Sequence, residues 1–491
     1  FCSCLFCLKV RLCRLPRRPP TKFPLPIGVF IDCLSDSGNF KPVSYREVSV
    51  LFHQDEKYSR LFGLPEEKLI VFRDRVDKLY NFEDDYRDYA NFVPLKLVGM
   101  SFLYSDKERG EYTGSFGKRP YKNYYPDFSG YGFGYIKYVL LGVYEIKIKY
   151  SEETGVEVSR FRIKKGFEHL GLELMKDNIV IGPGYFGQLL QSSNIEPELT
   201  AIVKTEVPYS LGFLGSFRFY LWNTWIDDDS GLRSDPSLLG MRLSLKPSKY
   251  MEIGLNRTVF YGGDGKPKYN TVKDYWKLFT AEDENIPGSR WDTEQNFGLD
   301  VSIYIPYIRN ISPFEGMKLY GEAAWNDITA PWQREDKGKS LALLGDSYVF
   351  GVFLSKKDMD VRIEWAKIYK ETYLHHNYPE GYTDNEYLIG HFIGRDASML
   401  AGEVYYEISE DFHVYLGGQL IKRNLSQKHR QKENRVYLGS SILFIKNIFL
   451  DSRLTYFYRN KINLYDSPVR YEFTDEPERN YILNVEFLYV F

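Results

Sequence analysis

Seven residues with charged or titratable side chains are the candidates for chemistry in this chain of 491 residues. They occupy two stretches: Arg242, Glu252 and Arg257 in the first, and Glu364, His391, Arg395 and Asp396 in the second. A covalent hydrolase would need a nucleophile beside a base that is itself oriented by a third group. The chain holds only seven His and no Gly-x-Ser-x-Gly elbow. We therefore predict no catalytic residue, and we expect these side chains to bind a polar ligand or to pair with one another.

No metal or cofactor site is expected either. His375 and His376 are adjacent, so on a strand they would point to opposite faces. All five cysteines lie in the first 33 residues, without zinc-ligand spacing and without a neighbouring His. The glycine-rich stretch 182–187 lacks the Lys-Ser/Thr pair of a phosphate loop, and its glycines predict an irregular backbone at the end of a strand.

From about Asn91 onward, apolar and polar residues alternate, and a period of two predicts β-strands with two different faces. Tyr, Phe and Trp make up 17% of the chain, yet its mean hydropathy is −0.39. Membrane barrels have this composition because only alternate residues need to be apolar. The C-terminal stretch 481–491 fits a transmembrane strand of about 9–11 residues with aromatic residues at both ends. We predict an all-β fold in which residues 91–491 form a transmembrane antiparallel β-barrel.

The barrel has about 18 strands if each strand with its share of loops takes roughly 22 residues. The apolar parity is nearly free of charges in most segments, as a lipid-facing surface must be. Asp451 and Arg453 indicate that the residues facing inward change to the other parity in their segment. Arg257 is on the outward parity of its own segment, so we expect it near a strand end beside a loop. The predicted extracellular loops are 108–129, 227–236, 262–291, 332–339 and 371–386. Their aromatic residues suit either sugar stacking or loop packing.

Residues 1–90 differ from the barrel. Residues 1–26 mix Cys, Arg and Pro without a charged-then-apolar export signal, and we treat them as an unreliable or leader-like N-terminus. Residues 27–90 predict a small helical periplasmic segment, since Ser44 and Glu47 have capping-box spacing and Pro65 opens a second helical pattern. The segment is either a barrel plug or an ordinary appendage.

Three ordered motifs carry a resemblance to a known family. The first is a Gly-Pro-Gly segment that leads into Leu-Leu-x-Ser-x-Asn at 182–194. The second is a Lys-Pro hairpin, expected to turn at Pro247 and Ser248, followed by Glu-x-Gly-Leu-x-Arg at 252–257. The third is Gly-His-x-x-Gly-x-Asp at 390–396. In these motifs the chain resembles the Wzi-type capsule assembly family of outer-membrane proteins over roughly residues 27–491.

The resemblance implies a barrel in the outer membrane of a Gram-negative-type bacterium that binds capsular or exopolysaccharide and organises or attaches it at the cell surface. The seven candidate residues would then bind polysaccharide or line the lumen. A general or sugar-selective diffusion porin is the alternative, and a membrane-surface hydrolase is a third possibility. Expected partners are the polysaccharide, outer-membrane lipid and, through Phe491, the barrel assembly machinery. The 64 basic and 66 acidic residues predict no nucleic-acid partner, and we expect a monomer.

Overall fold

The computed structural model describes residues 40–41 and 90–490. The undescribed positions within the second range are 106–126, 139–141, 152–154, 168, 228–235, 249, 264–265, 281–292, 307, 309–310, 315, 327–346, 357, 379–380, 386, 410–411, 446–447 and 464–471. The predicted N-terminal segments, apart from Phe40, Lys41 and Ala90, lie outside the described residues, as does Phe491.

The described part of the chain forms eighteen barrel strands. They are β1 (Ala90–Ser105), β2 (Asp127–Tyr138), β3 (Gly142–Ser151), β4 (Gly155–Gly166), β5 (Leu170–Asp177), β6 (Glu198–Thr205), β7 (Ser216–Trp225), β8 (Pro236–Ser248), β9 (Met251–Gly262), β10 (Glu294–Pro306), β11 (Gly316–Asn326), β12 (Ser347–Lys356), β13 (Met359–Ile368), β14 (Ala397–Ser409), β15 (Phe412–Arg423), β16 (Gln431–Ile445), β17 (Ile448–Arg459) and β18 (Glu478–Val490). A short extension, Tyr209–Ser210, continues β6 alongside β7.

Each strand pairs antiparallel with the next, and β18 returns to β1 with Tyr489 opposite Val98. The sheet is therefore a closed barrel, which leaves no strand edge unpaired in lipid. The predicted all-β barrel of about 18 strands is confirmed.

Alternate residues of each strand face the lumen or the outside. The buried parity of β7 consists of Arg218, Tyr220, Trp222 and Thr224. On the outward parity, large apolar side chains such as Leu255, Leu400 and Leu454 are about half exposed, which is the surface that contacts lipid. Arg453 faces the lumen, where its guanidinium lies 4.0 Å from the centre of the Tyr437 ring.

The two ends of the barrel differ. One end has short connections, such as 139–141, 249–250 and 410–411, and also the start of β1 and the end of β18. The opposite end has the long connections, including all five loops that the sequence predicts to be extracellular. Outer-membrane barrels place short turns in the periplasm and long loops outside. No helix in the described residues is long and apolar enough to cross a membrane.

Two long connections fold back into the barrel. The first inner segment (178–197) joins β5 to β6, and the second inner segment (369–396) joins β13 to β14. Their apolar side chains pack against inward residues of the wall, such as Trp222, Phe260 and Ala366, in one buried core. Phe40–Lys41 pairs antiparallel with Val180–Ile181 of the first inner segment. The core of this protein thus lies inside the extracellular half of the barrel.

Candidate functional site

Two carboxylates of the barrel wall hold the first inner segment. Glu322 on β11 accepts hydrogen bonds from the backbone N–H groups of Gly184 (2.7 Å) and Leu189 (2.9 Å). Glu364 on β13 accepts hydrogen bonds from the N–H groups of Tyr185 (2.7 Å) and Phe186 (3.2 Å). Buried backbone groups outside regular structure need such partners, because an unpaired N–H away from water is costly. The carboxylates therefore satisfy an irregular backbone inside the lumen.

Glycine is required where the first inner segment passes these acids. Gly182 has φ +112°, and a Cβ there would lie 2.4 Å from Oε1 of Glu322. A Cβ on Gly184 would lie 2.2 Å from the carbonyl oxygen of Gly187. The irregular backbone that the sequence predicts at 182–187 follows from this close approach.

The second inner segment binds the first through backbone and side-chain hydrogen bonds. The Tyr373 hydroxyl donates to the Leu189 carbonyl (2.7 Å) and accepts the N–H of His391 (3.0 Å). The Ser192 N–H donates to the Ile389 carbonyl at 2.8 Å. Asn194 Nδ2 donates to the Leu388 carbonyl at 2.9 Å. The Gly-Pro-Gly and Gly-His motifs, far apart in sequence, thus form one unit.

His391 lies at the centre of this unit and is fully buried. Its ring stacks on Phe392 with centroids 5.2 Å apart, and its Nε2 faces Gly187, where an added Cβ would lie 2.8 Å away. Nε2 has no hydrogen-bond partner among the described residues. Burial lowers the pKa of His391 to about 3, so the imidazole is neutral and part of the packing.

Arg242 and Glu252 belong to a buried ion cluster deeper in the lumen. Arg242 Nη1 donates to Asp300 Oδ2 (2.5 Å) and to Asn256 Oδ1 (2.7 Å), and Nη2 donates to Asp300 Oδ1 (3.1 Å). Glu252 accepts from Arg242 at 3.4 Å and from the Ser244 hydroxyl at 2.8 Å. These groups cross-link β8, β9 and β10 on their inner face.

The remaining candidates lie elsewhere. Arg257 lies on the outer wall, as its parity predicts, so the expectation that it lines the lumen is wrong. It is in the middle of β9 rather than at a strand end, and it is buried beneath a helix of the β9–β10 connection, α1 (Val272–Thr280). Arg395 and Asp396 lie at the extracellular rim. Asp396, with φ +49°, accepts hydrogen bonds from the Ser426 hydroxyl (2.7 Å) and N–H (3.0 Å). Arg395 donates to the Lys370 carbonyl at 2.9 Å.

The seven candidates therefore occupy four places rather than one site: the lower lumen, the inner-segment contacts, the outer wall and the rim. Their role in binding polysaccharide stays a prediction. Sequence reasoning missed Glu322, Asp300 and Tyr373, which make the contacts described above. Only their inward parity could have indicated Glu322 and Asp300, and many strand acids share it. Tyr373 lies outside the strands, where the period of two gives no signal. Among the described residues, no group of three or more His, Cys, Asp or Glu side chains is arranged to hold a metal ion.

A second lumenal ion cluster consists of residues that were not among the seven candidates. It surrounds Glu433 on β16, whose carboxylate accepts from Arg423 Nη1 at 2.9 Å and also from Arg435. Arg459 on β17 lies 3.2 Å from a carboxylate oxygen of Glu478 on β18. Ionic side chains thus cross-link the inner wall on two sides of the barrel.

Comparison with known proteins agrees with this architecture. The family model for capsule assembly protein Wzi matches residues 121–461. Among solved structures, the chain is similar to Wzi of Escherichia coli, an outer-membrane protein involved in group 1 capsule assembly and a carbohydrate-binding β-barrel. The identity is 15% and the TM-score 0.65, over 96% of this chain and 100% of that chain. It is also similar to the outer-membrane protein OprD of Pseudomonas aeruginosa, with 8% identity and a TM-score of 0.47 over 82% and 94% of the two chains.

No curated protein matches the sequence. The similarity to the Escherichia coli structure shows the fold, and the family model covers well over half of the chain. This chain belongs to the Wzi capsule assembly family of outer-membrane β-barrel proteins.

Proposed function

We propose that this protein binds capsular or exopolysaccharide at its extracellular rim and helps to organise or attach it at the cell surface, without catalysis. The observation that carries this proposal is the filled lumen. Phe186, Leu190, Ile389, Phe392 and Ile393 of the two inner segments are all buried within the barrel. A diffusion porin keeps a water-filled polar channel, so this interior favours a surface-binding role over transport.

A basic turn at the rim supports an acidic polysaccharide as the ligand. Residues 424–430, which connect β15 and β16, contain no Asp or Glu. Lys428, His429 and Arg430 at the tip of this turn are exposed. Asp396 fixes the turn through Ser426, which brings Arg395 close to it. Positive charge on a rigid turn attracts carboxylated sugars, and salt weakens that attraction.

Binding of purified protein to an acidic capsular polysaccharide, with neutral dextran as the reference, tests the proposal. We expect binding that weakens as salt rises and that falls at least tenfold in the Lys428→Glu/Arg430→Glu variant. The matched control is Lys356→Glu, which reverses one exposed charge at the periplasmic end of β12. If the wild type, the double variant and the control bind equally, the basic turn at the rim is not the binding surface.

Conductance measured in a planar bilayer distinguishes the proposed surface-binding role from a diffusion porin. A lumen packed by the two inner segments gives small or absent conductance, whereas a porin gives large and steady openings. In cells, a deletion strain that keeps its polysaccharide attached would contradict the proposed role.

A further inference from the structure

Helix α1 lies against the outside of the barrel. Its Leu278 is fully buried and packs with Leu239, Val259 and Tyr261. These three residues are on the outward parity of β8 and β9, whose inward parity includes Leu238 and Thr258. α1 therefore covers the outer wall near the extracellular end of two strands rather than the lumen or the barrel mouth.

Both ends of α1 are fixed by hydrogen bonds. At the start, the Asp274 N–H donates to the Thr271 hydroxyl (3.2 Å) and the Thr271 N–H donates to the Asp274 carboxylate (3.1 Å). This reciprocal pair has the geometry of a capping box. At the end, the Arg257 guanidinium donates to the carbonyls of Leu278 (2.8 Å) and Phe279 (2.5 Å). These are two of the carbonyls that a helix leaves unpaired at its C-terminus.

These contacts also explain why a charged residue, Arg257, is tolerated on the outward, lipid-facing parity of β9. Arg257 also donates to Gln295 Oε1 and lies over the Phe297 ring at 5.4 Å. A basic group at a helix C-terminus is stabilised by the helix dipole. α1 thus covers a guanidinium that lipid would otherwise meet.

The opposite face of α1 is apolar and exposed. Val272, Trp276 and Phe279 are 88%, 61% and 40% exposed, and the rings of Trp276 and Phe279 stack with centroids 6.0 Å apart. Lys273 is exposed beside them. A short helix with aromatic and aliphatic residues on one face and a basic residue at its border has the composition of a helix that lies in a membrane interface.

The position of this face identifies its partner. Leu255 lies two residues before Arg257 on the same outward parity and is 47% exposed. The exposed face of α1 is thus continuous with the lipid-facing wall, at the extracellular end where Trp and Tyr sit at the headgroup level of barrels. We infer that α1 is an interfacial helix that inserts Trp276 and Phe279 into the outer leaflet at the boundary between headgroups and acyl chains.

Full-length protein folded into lipid vesicles tests this inference. The emission of Trp276 is obtained as the difference between wild type and Trp276→Phe. We expect vesicles of lipid brominated near the headgroup to reduce this difference emission at least twofold, and aqueous iodide to leave it almost unchanged. Quenching by iodide without quenching by brominated lipid would overturn the inference.

Other occupants give different results. If added polysaccharide shifts the Trp276 difference emission equally in all lipids, the exposed face of α1 binds sugar instead. If protection of Trp276 from iodide increases with protein concentration, the face contacts a second copy of the protein. Either result overturns the inference. A folding assay gives an independent readout: Trp276→Glu/Phe279→Glu should reduce the vesicle-inserted fraction at least twofold, while Trp276→Tyr/Phe279→Tyr retains it. Equal insertion of both variants would also count against a lipid contact.

Discussion

The Glu364 carboxylate accepts a hydrogen bond from the backbone N–H of Tyr185 at 2.7 Å, although 179 positions separate the two residues in the chain. The same carboxylate accepts the Tyr320 hydroxyl at 2.9 Å, so a wall residue and the first inner segment share one acceptor. Glu322 makes the equivalent pair of backbone contacts from β11, which is separated from β13 by one strand of the wall. The first inner segment stays inside the lumen because the wall supplies hydrogen-bond acceptors that an irregular buried backbone lacks.

Replacing both acids should loosen the first inner segment. A buried N–H left without a good acceptor costs about 1–3 kcal/mol, and the amides introduced at these two positions would bring unpaired donors into the same space. We therefore expect Glu322→Gln/Glu364→Gln to lower the unfolding temperature and to raise single-channel conductance. Glu371→Gln, at an exposed side chain, is the control. Unchanged conductance in the double variant would mean that other contacts keep the lumen closed.

Gly240 should tolerate no side chain. A Cβ there would lie 2.0 Å from the Trp222 indole, whose Nε1 donates to Gln191 of the first inner segment at 3.0 Å. Overpacking of this kind costs about 1–3 kcal/mol, so Gly240→Ala should lower the thermal unfolding temperature measured by circular dichroism. Gly402→Ala is the matched control, because its nearest neighbour would be a backbone oxygen at 3.5 Å. Equal melting temperatures would show that Trp222 can move away.

The strands and their two faces could be predicted from sequence because a period of two is a local signal. Arg257 shows both the strength and the limit of that signal. The period predicts its outward parity correctly, but the expected position at a strand end is wrong, because Arg257 lies in the middle of β9 and is covered by α1, which the period does not predict. The Thr271-x-x-Asp274 spacing was a usable helix-start signal before the apolar residues of α1.

The inward folding of the two inner segments could not be predicted in the same way. Glycines at 182–187 indicate an irregular backbone but not its direction. The direction depends on Glu322, Glu364 and Tyr373, which lie 133–184 positions from the groups of the first inner segment that they bind. Contacts at such separation leave no periodic trace in sequence. Inward-facing acids occur on many strands, so nothing in the sequence distinguishes Glu322 and Glu364 from the acids that form ion pairs in the lumen.

Arg242 should matter for folding rather than for ligand binding. Arg242→Gln leaves the buried carboxylates of Asp300 and Glu252 without their shared cation, and breaking a buried ion pair costs about 3–5 kcal/mol. We expect a smaller folded fraction on a heat-modifiability gel. Glu252→Gln should have a weaker effect, since its contact with Arg242 is 3.4 Å long. A variant that folds fully but loses polysaccharide binding would instead place this cluster in the binding site.

The burial of His391 should make the inner segments sensitive to acid. Burial lowers the pKa of His391 to about 3 in the folded protein, whereas an unfolded His has a pKa of about 6.5. The folded state therefore favours the neutral ring, and this contribution is fully present above pH 6.5 and is lost as the pH falls from about 6.5 towards 3. The loss is at most about 1.4 kcal/mol per pH unit.

We expect the thermal unfolding temperature to fall between pH 7.5 and pH 5.0, and we expect this fall to be smaller in His391→Leu, which cannot take up a proton. The control is His429→Asn, because His429 lies exposed in the basic turn and its removal should leave the pH dependence as in the wild type. If His391→Leu loses as much stability on acidification as the wild type, protons bound at other groups govern the response. If the His429 variant alone shows a smaller fall than the wild type, the basic turn governs it instead.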